Sequence, residues 1–178
     1  SGWTLTTLPA LCRQAADTYG DLSFIEDGDT VLSYRDFDAQ RRRVAKALIA
    51  AGVAKGDRIM IWAPNTWEWF AAAMGITSVG GVMVPVSTRF RAGEVADLVE
   101  RSGARLIFSV GEFLAQYYPD MLTPQTRALL DDVIVFQGVR APDRDWNDFL
   151  TQGDSVSDAE LEAREAGIGP DDLCDMLF

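Results

Sequence analysis

Arg89 and Arg91, at the end of Val84-Pro85-Val86-Ser87-Thr88-Arg89-Phe90-Arg91, are the side chains in this sequence best placed to do chemistry. A guanidinium presents a planar fork of N–H donors that matches a phosphate, and the segment just past the carboxyl end of a central strand is where open α/β sheets meet ligands. A solvated loop arginine is the alternative for either. Other candidates are thinner. Arg41-Arg42-Arg43 falls inside a helical pattern and reads as a solvated face. Gly167-Ile168-Gly169 superficially resembles a phosphate loop, but Pro170 follows it and no helix start does, so it reads as a linker turn. The sequence has no histidine and no Cys/Asp spacing of a zinc or calcium set, so neither a catalytic residue nor a metal site is assigned.

Composition narrows the partners. Sixteen basic against 27 acidic residues give a net charge of −11, which works against nucleic acid and anionic membranes. A hydrophobic content of 48% over 178 residues is enough for one core. Cys12 and Cys174 are far apart in a chain large enough to fold without staples, so two free thiols in a reducing, cytoplasmic setting are expected. Trp69 to Thr88 carries no charge and approaches membrane-spanning length. Thr77, Ser78, Gly80-Gly81 and Pro85 would break such a helix, and a buried helix, a glycine turn and a buried strand account for the same residues.

The elements that must carry these residues alternate. Leu5 to Tyr19 predicts a helix, and Asp27-Gly28-Asp29 joins Ser23–Glu26 to Thr30–Ser33 as a hairpin. Ser33 with Asp36 caps the next helix, whose apolar face is Phe37, Val44, Leu48 and Ala51 and whose end is Gly52. Arg58–Trp62 follows as a central strand. Asn65 with Glu68 predicts a capping pair for a helix over Thr66–Val79, then the strand Val82–Val86. A helix near Ala92–Ser102 ends at Gly103, although Arg91 and Gly93 leave its first turn weakly capped, and Arg105–Ser109 is strand. A helix between Glu112 and Leu130 and a strand Asp132–Phe136 come next. The Asp-, Pro- and Gly-rich stretch Gln137 to Asp154 predicts a surface excursion holding a short turn at Trp146–Leu150. Ser157 with Glu160 caps a last polar helix, and Pro170 introduces a terminal strand. The alternation predicts an α/β fold with a mostly parallel central sheet flanked by helices.

The ending Asp171-Asp172-Leu173-Cys174-Asp175-Met176-Leu177-Phe178 is an acidic turn running into an apolar strand. A domain seldom stops inside a buried strand, so the chain is expected to break off within a larger fold. Five earlier blocks stand in order: Leu32-Ser33-Tyr34-Arg35-Asp36-Phe37, Gly52-Val53-Ala54-Lys55-Gly56-Asp57-Arg58-Ile59, Pro64-Asn65, Val84-Pro85-Val86 and Ser102-Gly103-Ala104-Arg105. Together with the ending they resemble the N-terminal region of acyl-CoA synthetases, members of the adenylate-forming (AMP-binding) superfamily. Ile61-Trp62-Ala63-Pro64-Asn65-Thr66-Trp67-Glu68-Trp69 and Cys174–Phe178 look most like actinobacterial members, including those acting on acids from steroid breakdown. From the residues alone the tryptophans read as core packing.

The resemblance implies that residues 1–178 are the truncated N-terminal subdomain of the large domain, ending just before a Gly/Ser/Thr-rich phosphate loop. It implies a parent ligase that uses ATP, Mg²⁺ and CoA on a fatty or steroid-derived carboxylic acid. The partners would then be the rest of its own chain, the phosphate loop and a C-terminal domain, with no nucleic acid and no membrane span. Arg89, or failing that Arg91, would reach the nucleotide phosphate of CoA, while the fragment alone would be inactive scaffold binding none of these groups. A free-standing α/β binding or regulatory module is the alternative.

Overall fold

The structure is a computed structural model that describes residues 7–169. The expected terminal strand, Cys174 and the residues before Thr7 lie outside that range. The first helix, α1 (Leu8–Tyr19), is capped by the Thr7 hydroxyl on the Ala10 amide at 3.3 Å. A hairpin of β1 (Ser23–Asp27) and β2 (Thr30–Ser33) leads into α2 (Tyr34–Ala50), where Ser33 and Asp36 form the predicted capping box.

Among the described residues one five-stranded parallel sheet organises the chain, in the order β4-β3-β5-β8-β9. Its strands are β3 (Arg58–Trp62), β4 (Val82–Val86), β5 (Leu106–Ser109), β8 (Asp132–Val135) and β9 (Arg144–Asp145). Side chains alternate between its faces. Ile59, Ile61, Phe108 and Ile134 face α2 and α3 (Trp67–Ser78), whereas Met60, Trp62, Val84 and Ile107 face α4 (Ala92–Ser102). The connection from β3 to β4 therefore runs over one face and that from β4 to β5 over the other.

Four expectations change. The stretch after β5 is no long helix: it is a small hairpin, β6 (Glu112–Phe113) and β7 (Gln116–Tyr117), a 3₁₀ turn over Tyr118–Met121 and the short α5 (Pro124–Leu129). Pro119 and Pro124 cannot sit inside a helix, and Thr123 caps the one that begins at Pro124. The excursion from Gln137 is pulled into the fold, since Arg144–Asp145 is a sheet edge and α6 (Trp146–Thr151) buries Trp146, Phe149 and Leu150 against Phe108. The Asn65 cap is absent. Thr66 occupies the N-cap without a side-chain bond, and the Trp67 amide donates instead to Asp27 of the hairpin at 3.0 Å.

The fourth change concerns Arg41, which is 0% exposed. On α2 it belongs to the same stripe as Phe37, Val44, Ala45 and Leu48, so the helical period carries it inward. Its guanidinium donates to Asp38 at 2.7 Å, Ser78 at 2.8 Å and Glu165 at 2.8 Å, the last on α7 (Asp158–Ala166), and Arg13 of α1 also pairs with Glu165. Arg42 remains at the surface beside Asp158 and Arg43 is exposed.

Arg41→Ala leaves two buried carboxylates short of a partner and should cost about 3–5 kcal/mol. A melt of this variant should fall by roughly 10 °C, and Glu165→Gln added to it should recover part of the loss. Gly153 presses on α2, where a Cβ would stand 2.5 Å from the Ala47 amide nitrogen, so Gly153→Ala should destabilise by about 1–3 kcal/mol. Gly93→Ala, where a Cβ meets nothing within 4 Å, should be neutral or stabilising by up to about 1 kcal/mol. Urea titration of the pair checks the contrast.

Candidate functional site

The strand register lays β3 and β4 side by side with Trp62 opposite Val86, so their carboxyl ends finish level. The chain leaves β3 toward one face of the sheet and β4 toward the other, and a crevice opens between such strands. An open groove of about 420 Å³ lies there, lined by Ala63, Pro64, Asn65, Trp69, Ser87 and Thr88 among others.

Arg89 comes directly after that lining and is exposed. Its amide donates to Ser87 Oγ at 3.1 Å, and its guanidinium makes no hydrogen bond to a side chain or carbonyl among the described residues. Arg91 differs. Its Nη1 donates to the carbonyls of Thr88 and Phe90, both at 3.0 Å, and its guanidinium lies 6.0 Å over the Tyr118 ring. The Arg91 amide donates to Glu94 at 2.8 Å, which closes the first turn of α4 that the sequence left weakly capped. That amide bond holds the Glu94 carboxyl below its ordinary range.

The loop is fixed from beneath by Trp62, which the sequence assigned to core packing, and by Tyr118, which fell inside the expected helix between Glu112 and Leu130. Trp62 Nε1 donates to the Ser87 carbonyl at 3.2 Å and Tyr118 Oη donates to the Thr88 carbonyl at 2.8 Å, with the two rings 4.9 Å apart. Trp62 is fully buried, whereas Trp67 and Trp69 pack half-buried at the core margin. The signal for Tyr118 was present in the sequence, because Pro119 argues against a helix there and frees the tyrosine to face inward.

Other polar contacts tie segments that connect the sheet strands. Buried Glu68, at the start of α3, accepts from Gln137 just past β8 at 2.7 Å. Tyr117 Oη donates to Asp143 at 2.9 Å and accepts from the Arg140 amide at 3.0 Å, while Arg127 donates to Asp143 and to the Pro119 carbonyl, each at 2.7 Å. Burial, helped by the Asp143 carboxylate, pushes the Tyr117 hydroxyl up to about 12. Away from this edge, Gly167 ends α7 as a turn whose carbonyl accepts from Lys55 at 3.1 Å. The Cys12 thiol is free, and burial raises it. Among the described residues no group of three or more His, Cys, Asp or Glu could hold a metal, and no helix is long and apolar enough to cross a membrane.

A doubly wound parallel sheet with a groove at its carboxyl edge is the arrangement of an open α/β fold. The chain belongs to the AMP-binding enzyme family, whose sequence profile matches residues 12–178. A methyl-dioxo-octahydro-indenyl-propanoyl:CoA ligase of Rhodococcus jostii is 33% identical over 97% of this chain and 35% of its own length. A ligase of the same name from Mycobacterium tuberculosis is 40% identical over 75% of this chain and 26% of its own. Both sources are actinobacterial, as the sequence resemblance implied. Among solved structures, coronafacic acid ligase from Pectobacterium brasiliense superposes with a TM-score of 0.74 at 20% identity, over 85% of this chain and 31% of that one. The chain thus spans about a quarter to a third of the length of the curated relatives it matches.

Tyr117 yields a signed pH effect. Its folded value lies above the unfolded value of 10, so the stability it contributes is complete below pH 10 and is lost as pH rises toward about 12. Urea midpoints measured from pH 8 to pH 11 should therefore fall less steeply at the alkaline end in Tyr117→Phe than in the parent protein.

Proposed function

We propose that residues 1–178 form the N-terminal subdomain of an ATP-dependent acyl-CoA ligase and end just before its phosphate loop. In the overall reaction a carboxylate attacks ATP to give an acyl-adenylate and pyrophosphate, and the CoA thiol then takes the acyl group and releases AMP. The observation that carries this reading is the exposed Arg89 beside the carboxyl-edge groove, in a chain whose relatives are named CoA ligases.

A guanidinium without a side-chain or carbonyl partner among the described residues suits a phosphate, and Arg91, already bonded to Thr88 and Phe90, is the less available of the two. Arg89 would neutralise the nucleotide phosphate of CoA, leaving the pantetheine arm to reach across the groove. ATP and Mg²⁺ would supply leaving-group activation and charge neutralisation in the remainder of the protein, where the phosphate loop and C-terminal domain belong. The described part of the chain acts as scaffold for that loop. The names of the two actinobacterial relatives favour a bulky fused-ring propanoate of the steroid-derived kind as the acid, and the free Cys12 fits a cytoplasmic setting.

In the full-length protein, Arg89→Ala removes a charge-assisted contact, and the KM for CoA should rise roughly ten- to a hundredfold. Adenylation, followed by pyrophosphate exchange without CoA, should be nearly unchanged. An equal loss in both half-reactions would assign Arg89 to structure instead.

A further inference from the structure

The backbone just ahead of Arg89 is bonded beyond what a surface turn requires. The Ser87 carbonyl accepts from Trp62 Nε1 at 3.2 Å and from the Phe90 amide at 3.0 Å. The Thr88 carbonyl accepts from Tyr118 Oη at 2.8 Å and from Arg91 Nη1 at 3.0 Å. A carbonyl has two lone pairs, so both oxygens are saturated. The Phe90 amide belongs to the loop itself, and the other three donors come from strand β3, the turn that follows β7 and the first residue past the loop.

Tyr118 is 1% exposed and packs on Trp62 and Phe113, surroundings in which a phenylalanine would bury equally well. The hydroxyl is therefore accounted for by the loop it holds and not by the core. Arg91 is exposed, yet spends its charged group on two neutral carbonyls next to it.

We propose that Tyr118 and Arg91 are positioning residues that lock the Ser87–Phe90 backbone so that Arg89 meets a nucleotide phosphate already oriented. The proposal rests on the reading of Arg89 given above. A loop ordered before the ligand arrives does not charge its ordering entropy to binding, so the benefit should appear in affinity for the phosphate-bearing substrate and not in the chemical step.

Steady-state kinetics of the full-length protein with CoA test this. Tyr118→Phe should raise the KM for CoA roughly two- to tenfold, the effect of one hydrogen bond to a neutral acceptor, with kcat little changed. The same substitution placed on Arg89→Ala should raise it no further, because a clamp that works through Arg89 has nothing left to orient. Arg91→Ala should behave alike in both backgrounds; being exposed, it keeps the measurement decisive if Tyr118→Phe does not fold. If Arg89→Ala alone leaves the KM for CoA unchanged, the phosphate role of Arg89 fails and the clamp with it. If Arg89→Ala acts but the other two do not, or if their factors multiply with it, the clamp alone is wrong.

Discussion

A full positive charge sealed from water is the interaction on which the helical layer depends. Burying Arg41 costs several kcal/mol unless every nearby group is arranged to receive it. Asp38 comes from the same helix, but Glu165 and Ser78 must be brought from α7 and α3, and Arg13 of α1 completes the balance on Glu165. Burial draws the Arg41 pKa down, and the bonds to Asp38 and Glu165 more than reverse this, so the net shift is upward and the guanidinium stays charged. Arg41 thereby locates three helices relative to one another, and Glu165 brings in the fourth through Arg13.

The dependence is sharpest for α7. That helix is polar, with Leu161 as its buried apolar anchor, and its polar attachments among the described residues include Glu165 on Arg41 and Arg13, Arg164 on the carbonyls of Val53 and Val79, and Asp158 beneath Arg42 and Lys46. These two basic side chains hold Asp158 below its usual range. Apolar area alone would hold such a helix weakly. Its charged contacts fix the point from which the chain proceeds toward residue 170.

On the far side of the sheet the constraint is of a different kind. Reversal of winding at β3 opens a crevice between two strand ends, and an open loop there would be mobile. Aromatic side chains answer this by burying their rings and spending their polar tips on the loop, as Trp62 and Tyr118 do. Two further polar ties are of the same kind, Glu68 at the start of α3 with Gln137 past β8, and Tyr117 with Asp143 just ahead of β9. The loop at this edge is held by hydrogen bonds that start from buried side chains.

Local signals were enough to read much of this in the sequence. The capping box at Ser33 and Asp36, the glycine stop at Gly103, the apolar strands Arg58–Trp62 and Val82–Val86 and their alternation with helices depend on residues within a few positions of one another, and these the sequence determined. The exposed place of Arg89 past the end of β4 was also legible, since the residue that follows a central strand by a short turn is placed by the strand itself. What depended on partners distant in the chain was not. Arg41 looked like a surface charge until Glu165, Ser78 and Asp38 were brought around it, although the stripe from Phe37 to Leu48 already pointed it inward. Trp67 takes its cap from Asp27, and Tyr118 finds the Thr88 carbonyl across β3. The Asp- and Pro-rich stretch after Phe136 became sheet edge and buried helix because Phe108 and α2 offered a surface for Trp146, Phe149 and Leu150. Short-range order is written in propensity and capping, whereas the fate of a buried charge, an aromatic hydroxyl or a loop carbonyl is decided by which distant group can satisfy it once water is gone.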